Sequence, residues 1–455
     1  FMIVLGFAPV VYLGLRDVGG WTSMNHSLQT VAQDPVAYNL GTKAYAADAW
    51  TSAWKPLLGG PSANPMGVDL FAMVFGLGFV LSFGYWCTNF LVVQRAMAAK
   101  NMSAARRTPL IAAVPKMIFP ILVIVPGMIA VALTSMPQKN YRIPPPIVSD
   151  QDYTSAINAV KRAGASEPAA AVKAVSTALG KKVNEEKVTA LVKQAGNLSD
   201  TQIRDGLYNA IAEYDYDGVI LSLVKKYCPT GLLGLALTAL LASFMSGMAG
   251  NVTAFNTVWT YDLYQAYLAP NKSDQHYFRM GQAITVVGIL LSIACAYFAS
   301  KYNNAMDIIQ LVFGFVNAPL FATFLLGMFW SRTTGTGAFL GLFGGIASSA
   351  LFHSLTIAGA NLPGVKGGYL HVVKTFPSEM AQNFWLASFA FTVCFTLTLV
   401  ISLATARTKT DEELKGLVYS LTPRIKTEEK EWYLRPSVVG IVLLLCCVVL
   451  NIIFR

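Results

Sequence analysis

The stretch from Gly231 to Thr260 most constrains what this chain can fold into. It carries no charged residue and exceeds the about 20 residues that a helix needs to cross a bilayer. Its centre is nevertheless rich in small and hydroxyl side chains. Ser243 and Ser246 are three residues apart and therefore share one helix face, which Gly247 and Asn251 continue. We expect this polar face to point into the packed interior, because a lipid-facing helix needs no such groups.

Two interpretations of that face are open at this point. Small residues let membrane helices pack closely, and hydroxyls form hydrogen bonds between helices. Alternatively, the hydroxyls of Ser243 and Ser246 coordinate a hard cation such as sodium, together with backbone carbonyls freed at helix breaks. The rest of the chain has to decide between them.

The composition indicates an all-α polytopic membrane protein. Only 13% of the residues are charged and 54% are hydrophobic, whereas soluble proteins carry about 25% charged residues. The net charge of +10 does not call for a nucleic-acid partner, because basic residues in cytoplasmic loops account for it. The 6 Cys and 4 His show no disulfide or metal-site spacing, and no catalytic constellation is visible, so we do not expect an enzyme.

Hydropathy and charge together predict the topology. Lys and Arg are concentrated in the loops 94–109, 259–279, 331–336 and 406–436, which all fall on one side and which we assign to the cytoplasm. The apolar runs predict nine membrane spans, at about 1–15, 68–93, 110–135, 231–258, 280–300, 306–330, 337–358, 382–405 and 437–454.

Two local signals bear on how the chain is divided. Ser199 to Gln202 forms a capping box, which predicts a helix start inside an outside segment of mixed polarity. Phe1 lies in an apolar run without basic residues, so it does not begin a signal peptide, and we expect further chain upstream. The spans and loops then group into five parts. Residues 1–136 hold spans 1–3 with an outside loop at 16–67, and residues 137–225 form an outside helical insertion. Residues 226–405 hold spans 4–8, residues 406–436 form a cytoplasmic loop, and residues 437–455 form the last span.

Four further residues are candidates for binding a solute. Tyr85 and Trp86 lie in mid-span, where aromatic residues either fill the core or provide a stacking face for a ring-shaped solute. Lys116 either extends to the cytoplasmic surface or contacts a buried solute. Gln310 lies within its span and must find a hydrogen-bond partner, close to the break that Gly314 to Pro319 predicts.

At these residues the chain resembles the sodium:solute symporter family, and within it the sodium/glucose cotransporters. The resemblance extends from Phe1 to about Thr408, interrupted by the insertion. The motifs that carry it are Val18-Gly19-Gly20-Trp21, Tyr85-Trp86-Cys87-Thr88-Asn89, Val93-Gln94-Arg95, Pro126-Gly127-Met128-Ile129, Leu241-Ala242-Ser243-Phe244-Met245-Ser246, Thr260-Tyr261-Asp262-Leu263-Tyr264 and Phe329-Trp330.

The resemblance implies a fold and a set of roles. The fold is the inverted-repeat, amino-acid-transporter-like symporter fold, lacking most of the first repeat, about five spans, in this chain. By resemblance, a sugar is contacted by Tyr85, Trp86, Lys116 and Gln310, with Tyr85 closing the site toward the cytoplasm. Ser243 and Ser246 correspond to sodium ligands of the family.

Two departures from the family pattern bear on these roles. Gly247 stands where the family has a second adjacent serine, which removes one hydroxyl ligand. Asn89 stands where the family has an acidic residue. These two departures therefore bear on sodium coupling and on the choice of sugar, the two properties that the resemblance implies.

The function expected from the sequence is sodium-coupled import of a sugar or similar small polar solute across a cell membrane by alternating access. The partners would be the solute, the sodium ion, membrane lipid and a chain that supplies the missing N-terminal spans. One alternative is symport of an amino acid, a vitamin or an acidic sugar. The other is a non-transporting membrane subunit or sensor.

Overall fold

The computed structural model describes residues 2–38, 40, 44–52, 54–163, 168–181, 183–212, 214–299, 305–359, 363–364, 366–423 and 431–453. These residues form two compact units, one made of residues 1–44 and 121–239 and the other of residues 45–120 and 240–455. Helices dominate both units, as the sequence predicts.

The α-helices of the described residues follow one another along most of the chain. The first eleven are α1 (Met2–Val18), α2 (Gly20–Gln33), α3 (Lys55–Leu58), α4 (Gly84–Thr88), α5 (Phe90–Met97), α6 (Met102–Thr134), α7 (Asp150–Arg162), α8 (Pro168–Leu179), α9 (Glu185–Gln194), α10 (Asp200–Ala210) and α11 (Val219–Tyr227). The remaining seven are α12 (Thr230–Thr257), α13 (Asp274–Ala299), α14 (Ala305–Val312), α15 (Ala318–Phe329), α16 (Gly335–Leu355), α17 (Glu379–Ala404) and α18 (Pro436–Ile453).

Three π-helical segments, five short 3-10 helices and one small sheet complete the regular structure of the described residues. The 3-10 helices are Pro61–Ala63, Pro137–Lys139, Ala195–Asn197, Tyr419–Leu421 and Trp432–Leu434. The π-helices are Ala72–Phe83, Val258–Leu268 and Phe313–Asn317. The sheet pairs β1 (Thr356–Ala358) in parallel with β2 (Lys374–Phe376). The break predicted between Gly314 and Pro319 is thus a π-helical segment rather than an interruption of the helix.

The described helices confirm the prediction of an all-α, multi-pass membrane protein. Within them, 7 are long and apolar enough to cross a membrane, and the number rises to 9 if each of two bent pairs is one span. One pair is Ile3–Val18 with Gly20–Gln33, bent by 72°, and the other is Ala72–Thr88 with Phe90–Met97, bent by 49°. These elements lie at the positions of the nine predicted spans.

In the first unit, the bend after α1 depends on glycine. Gly19 and Gly20 have φ angles of 91° and 88°, which residues with a side chain rarely adopt. Just before the bend, Asp17 accepts hydrogen bonds from Lys139 Nζ at 2.8 Å and from the Tyr227 hydroxyl at 2.8 Å. These contacts attach the end of α1 to the segment after α6 and to α11.

Helices α7 to α10 of the first unit share a hydrophobic core of their own. The predicted capping box is present, with the Ser199 hydroxyl accepting from the Gln202 N–H and the Gln202 side chain accepting from the Ser199 N–H. The core buries one apolar stripe from each helix, as amphipathic helices require. It is built from Tyr153, Ala156, Val160, Ala171, Val175, Leu179, Val188, Val192, Ile203, Leu207, Ala210 and Ile211.

In the second unit, α16 and α17 pack closely along a glycine stripe. Gly337, Gly341 and Gly345 recur every four residues and therefore lie on one face of α16. A Cβ added at Gly341 would clash with the Thr398 hydroxyl, and one at Gly345 would lie 2.8 Å from the Cys394 Cβ. Small residues at such spacing bring membrane helices into backbone contact, which fixes how α17 is placed.

Helix α17 in turn contacts the elements that carry the candidate site residues. It packs against the Ala72–Phe83 π-helix, α14, the Phe313–Asn317 π-helix and α15. Phe321 and Phe384 are among the largest fully buried side chains of this unit's core. The Trp385 indole N–H also donates to Asp69 at 2.7 Å, just before the Ala72–Phe83 π-helix.

We predict that Leu207→Ala loosens the α7–α10 core. Leu207 is fully buried, so its truncation leaves a cavity and should cost about 2–5 kcal/mol of local stability. Limited proteolysis of the intact protein should cleave between α7 and α10 faster than in the wild type. Tyr208→Ala is the matched control, because Tyr208 is 43% exposed. Equal cleavage rates for the two variants would contradict the described core.

Candidate functional site

The aromatic pair Tyr85-Trp86 lies on α4, directly before a helix break. The α4 helix continues from the Ala72–Phe83 π-helix and ends at Thr88. Asn89 adopts an extended conformation, and its side chain accepts a hydrogen bond from the Leu91 N–H at 2.9 Å, so it caps α5. This capping role is compatible with a neutral amide at the position where the family has an acidic residue.

Trp86 and Lys116 are in direct contact. The Lys116 ammonium lies 3.9 Å from the centroid of the Trp86 ring. Lys116 projects from α6, which runs as one helix through Pro115 and Pro120. An ammonium over an indole face is held by the ring quadrupole, a contact of about 0.5–2 kcal/mol. Trp86 is half-buried whereas Lys116 remains largely exposed, so the ammonium is open to a polar group on its other side.

Tyr85 and Thr88 face the π-helix Phe313–Asn317. The Tyr85 and Phe313 rings are stacked with centroids 5.4 Å apart. One turn further, the Thr88 hydroxyl donates to Asn317 Oδ1 at 2.8 Å and also lies 2.8 Å from the Gly84 carbonyl. One aromatic and one polar contact therefore join the two helix irregularities.

Gln310 lies on the same helix run, three residues before Phe313. Its Nε2 contacts the Met306 sulfur at 3.5 Å, the only side-chain hydrogen bond of Gln310 within the described part of the chain. Its Oε1 is buried without a hydrogen-bond partner among the described atoms. A buried amide oxygen left in this state is an unsatisfied hydrogen-bond acceptor.

The two predicted sodium ligands lie on α12. Ser243 is half-buried, but Ser246 is exposed, so the expectation that both serines face the packed interior is wrong for Ser246. Among the described residues, few side chains pack on the helical run Thr230–Leu268, so most of its surface is exposed. The Asn251 side chain donates to the Gly247 carbonyl at 3.0 Å. In the described part of the chain, this polar group is therefore paired within α12 and not with another helix.

The structure thus brings some predicted residues together and adds others. Trp86 contacts Lys116, and Tyr85 contacts the helix run that carries Gln310. Phe313 and Asn317 were not among the predicted site residues. A signal for them exists in the sequence, because both continue the face that begins at Gln310, at spacings of three and four residues.

Comparison with known proteins supports the resemblance seen in the motifs. Residues 210–345 match the model of the sodium:solute symporter family. The chain is 23% identical over 342 residues to a sodium/glucose cotransporter of Vibrio parahaemolyticus, covering 75% of this chain and 49% of that protein. The predicted resemblance to this family and to its sodium/glucose cotransporters is thereby confirmed.

Other similar proteins carry names with different solutes. A sodium/myo-inositol cotransporter 2 of Homo sapiens is 26% identical over 276 residues, covering 60% of this chain and 32% of that protein. A sodium/mannose cotransporter of Bos taurus is 25% identical over 280 residues, covering 61% of this chain and 37% of that protein. The chain spans about half or less of the length of these curated relatives.

We predict that Trp86 and Lys116 are energetically coupled. A double-mutant cycle with Trp86→Leu and Lys116→Met should give a coupling free energy of about 0.5–2 kcal/mol, the size of a cation–π contact. The measurement is unfolding of the purified protein in detergent. Arg106→Met serves as the control, because Arg106 is an exposed cation on the same helix. Additive effects in the Trp86–Lys116 pair would contradict the contact.

Proposed function

We propose that this chain, which resembles the sodium:solute symporter family, is part of a sodium-coupled symporter for a sugar or similar small polar solute. The proposal is supported most directly by the contact between Trp86 and Lys116, which places an aromatic face and a cation side by side within membrane helices. Relatives named for glucose, myo-inositol and mannose support the same solute class. A stacking face beside a few polar groups suits a ring that carries hydroxyls.

Each candidate residue has a role in this proposal. The Trp86 ring packs against the apolar face of the solute, and the Lys116 ammonium donates to one of its oxygens. The Gln310 Oε1 accepts from a solute hydroxyl, which would satisfy its buried acceptor. Tyr85, stacked on Phe313, forms the aromatic barrier on one side of the solute.

Sodium is a co-transported substrate in this proposal. The Ser243 and Ser246 hydroxyls provide two hard oxygen ligands on one face of α12. By analogy with calcium, a hard cation of this size takes about six oxygens or more, so the other ligands come from elsewhere in the complete site. Backbone carbonyls at a helix break are such ligands in transporters of the inverted-repeat type, the fold we propose for the complete protein.

Alternating access would use the helix irregularities described above. The 49° bend between Ala72–Thr88 and Phe90–Met97 and the Phe313–Asn317 π-helix face one another through two contacts. Rearrangement of these contacts would open one side of the site while the other remains closed. By their Lys and Arg content, we assign the loops 94–109, 259–279, 331–336 and 406–436 to the cytoplasm in this proposal.

The α7–α10 core completes the proposed topology on the outer side. Its helices are 10 to 13 residues long, too short to cross a bilayer. Their outer faces are polar, in keeping with water rather than lipid around them. We therefore place the insertion 137–225 outside the membrane.

We predict that Gln310→Ala weakens solute uptake. The half-saturating concentration of the transported sugar should rise about tenfold, since a lost hydrogen bond in a buried site costs about 1–3 kcal/mol. The measurement is radiolabelled uptake of glucose, myo-inositol and mannose into proteoliposomes holding the full-length protein. Met306→Leu is the matched control, because it removes only the sulfur that Gln310 contacts. An unchanged half-saturating concentration in Gln310→Ala would count against the role of this residue.

We predict that uptake depends on sodium and that Ser246→Ala shifts this dependence. Removing one of two hydroxyl ligands should raise the half-saturating sodium concentration by about tenfold, with little change in the maximal rate. Thr238→Val is the control, since among the described residues the Thr238 hydroxyl donates only to the Gly234 carbonyl of its own helix. Uptake that is the same in sodium-free and sodium buffers would overturn the coupling and favour a proton-driven or uncoupled carrier.

A further inference from the structure

Asn317 occupies the last position of the π-helix Phe313–Asn317. Two residues later, Pro319 lacks the backbone N–H that an α-helix would use to bond the carbonyl four residues before it. The chain accommodates this by a π-helical turn, a feature often found at functional sites. The side chain at position 317 therefore lies at an irregular point within a membrane span.

The Asn317 amide is buried and only half satisfied. The residue is 9% exposed. Its Oδ1 accepts from the Thr88 hydroxyl at 2.8 Å, but its Nδ2 has no hydrogen-bond partner among the described atoms. A leucine would fill the same space without that cost, and a buried donor without a partner is unfavourable. Packing alone therefore does not explain an asparagine at this position.

The neighbours of Asn317 indicate what completes it. Gln310, Phe313 and Asn317 lie along one face, with a buried unpartnered acceptor at Gln310 on one side of Phe313 and a buried unpartnered donor at Asn317 on the other. The ring between them is stacked on Tyr85, next to the Trp86–Lys116 contact. A molecule rich in hydroxyls matches both ends of this face, because each hydroxyl both donates and accepts.

We propose that Asn317 is a specificity-determining residue whose side-chain amide forms a hydrogen bond to one hydroxyl of the transported solute. This inference rests on the proposed symport function. It adds Asn317 to the proposed solute-binding residues, on the opposite side of Phe313 from Gln310. The Asn317 Oδ1 accepts from the Thr88 hydroxyl, and the free Nδ2 end of the amide faces the solute as it passes the Tyr85–Phe313 pair. A solute that lacks the matching hydroxyl leaves the amide unpaired and is discriminated against.

The test compares Asn317→Ala with Thr88→Val in proteoliposomes holding the full-length protein. The probes are glucose, myo-inositol and mannose, followed by monodeoxy analogues of whichever solute the wild type transports best. Thr88→Val removes the same interhelical hydrogen bond but keeps the Asn317 amide, so it controls for a purely structural effect. Thermal stability of both variants is measured in parallel.

The expected result is a loss of discrimination at one hydroxyl. In the wild type, one deoxy analogue should require about tenfold more solute for half-saturation than the parent, as for a lost hydrogen bond. In Asn317→Ala the parent should lose about tenfold in apparent affinity, while that particular deoxy analogue is unaffected. Thr88→Val should retain the wild-type pattern across all analogues.

Three outcomes would overturn the inference. An unchanged affinity in Asn317→Ala would show that its amide is completed by an internal water only. An equal loss for every analogue, or the same altered pattern in Thr88→Val, would assign Asn317 a structural role. Absence of any sodium-driven uptake of the three solutes by the wild type would overturn the proposed function and, with it, this inference.

Discussion

Close contact between α16 and α17 is the constraint on which the second unit depends. Along the stripe Gly337, Gly341 and Gly345 no side chain fits between the two helices. In lipid there is no hydrophobic force to bring helices together, so this contact relies on dispersion over closely matched surfaces. Because α17 also packs on the Phe313–Asn317 π-helix and on the π-helix leading to α4, the glycine stripe determines where the site helices lie.

Within that frame, the bilayer limits how the backbone can become irregular. A hydrocarbon interior offers no water to exposed N–H and carbonyl groups, so a helix can depart from α geometry only where the chain supplies partners. At Asn89 the side chain supplies one, by capping α5. At Asn317 the side chain instead accepts from the Thr88 hydroxyl, which joins the π-helix to α4. A side-chain amide therefore satisfies the backbone at the first irregularity and links two helices at the second.

The sequence predicts the helices of this chain better than their contacts. Span positions follow from apolar runs, and the capping box at Ser199 was predicted from a local pattern that the structure confirms. The exposure of Ser246 was not predictable, because burial of a helix face depends on neighbours that no local pattern reveals. The face shared with Gln310 points to Asn317, but its hydrogen bond was not predictable, since its partner Thr88 is 229 residues away in the chain. The roles assigned by resemblance to Tyr85, Trp86, Lys116, Gln310, Ser243 and Ser246 stay predictions.

The Lys116–Trp86 contact balances only part of the free-energy cost of a charge within a membrane helix. A cation at the centre of a membrane helix costs about 2.5–3.5 kcal/mol on insertion scales, whereas an indole face returns about 0.5–2 kcal/mol. The ring at 3.9 Å therefore offsets only part of the cost of the ammonium. Lys116 either reaches water along its exposed side or donates to an oxygen beside Trp86. A solute oxygen beside Trp86 would stabilise the ammonium only while the solute is bound. Because the aromatic ring alone stabilises the charge incompletely, this interaction would contribute to the affinity for a polar solute.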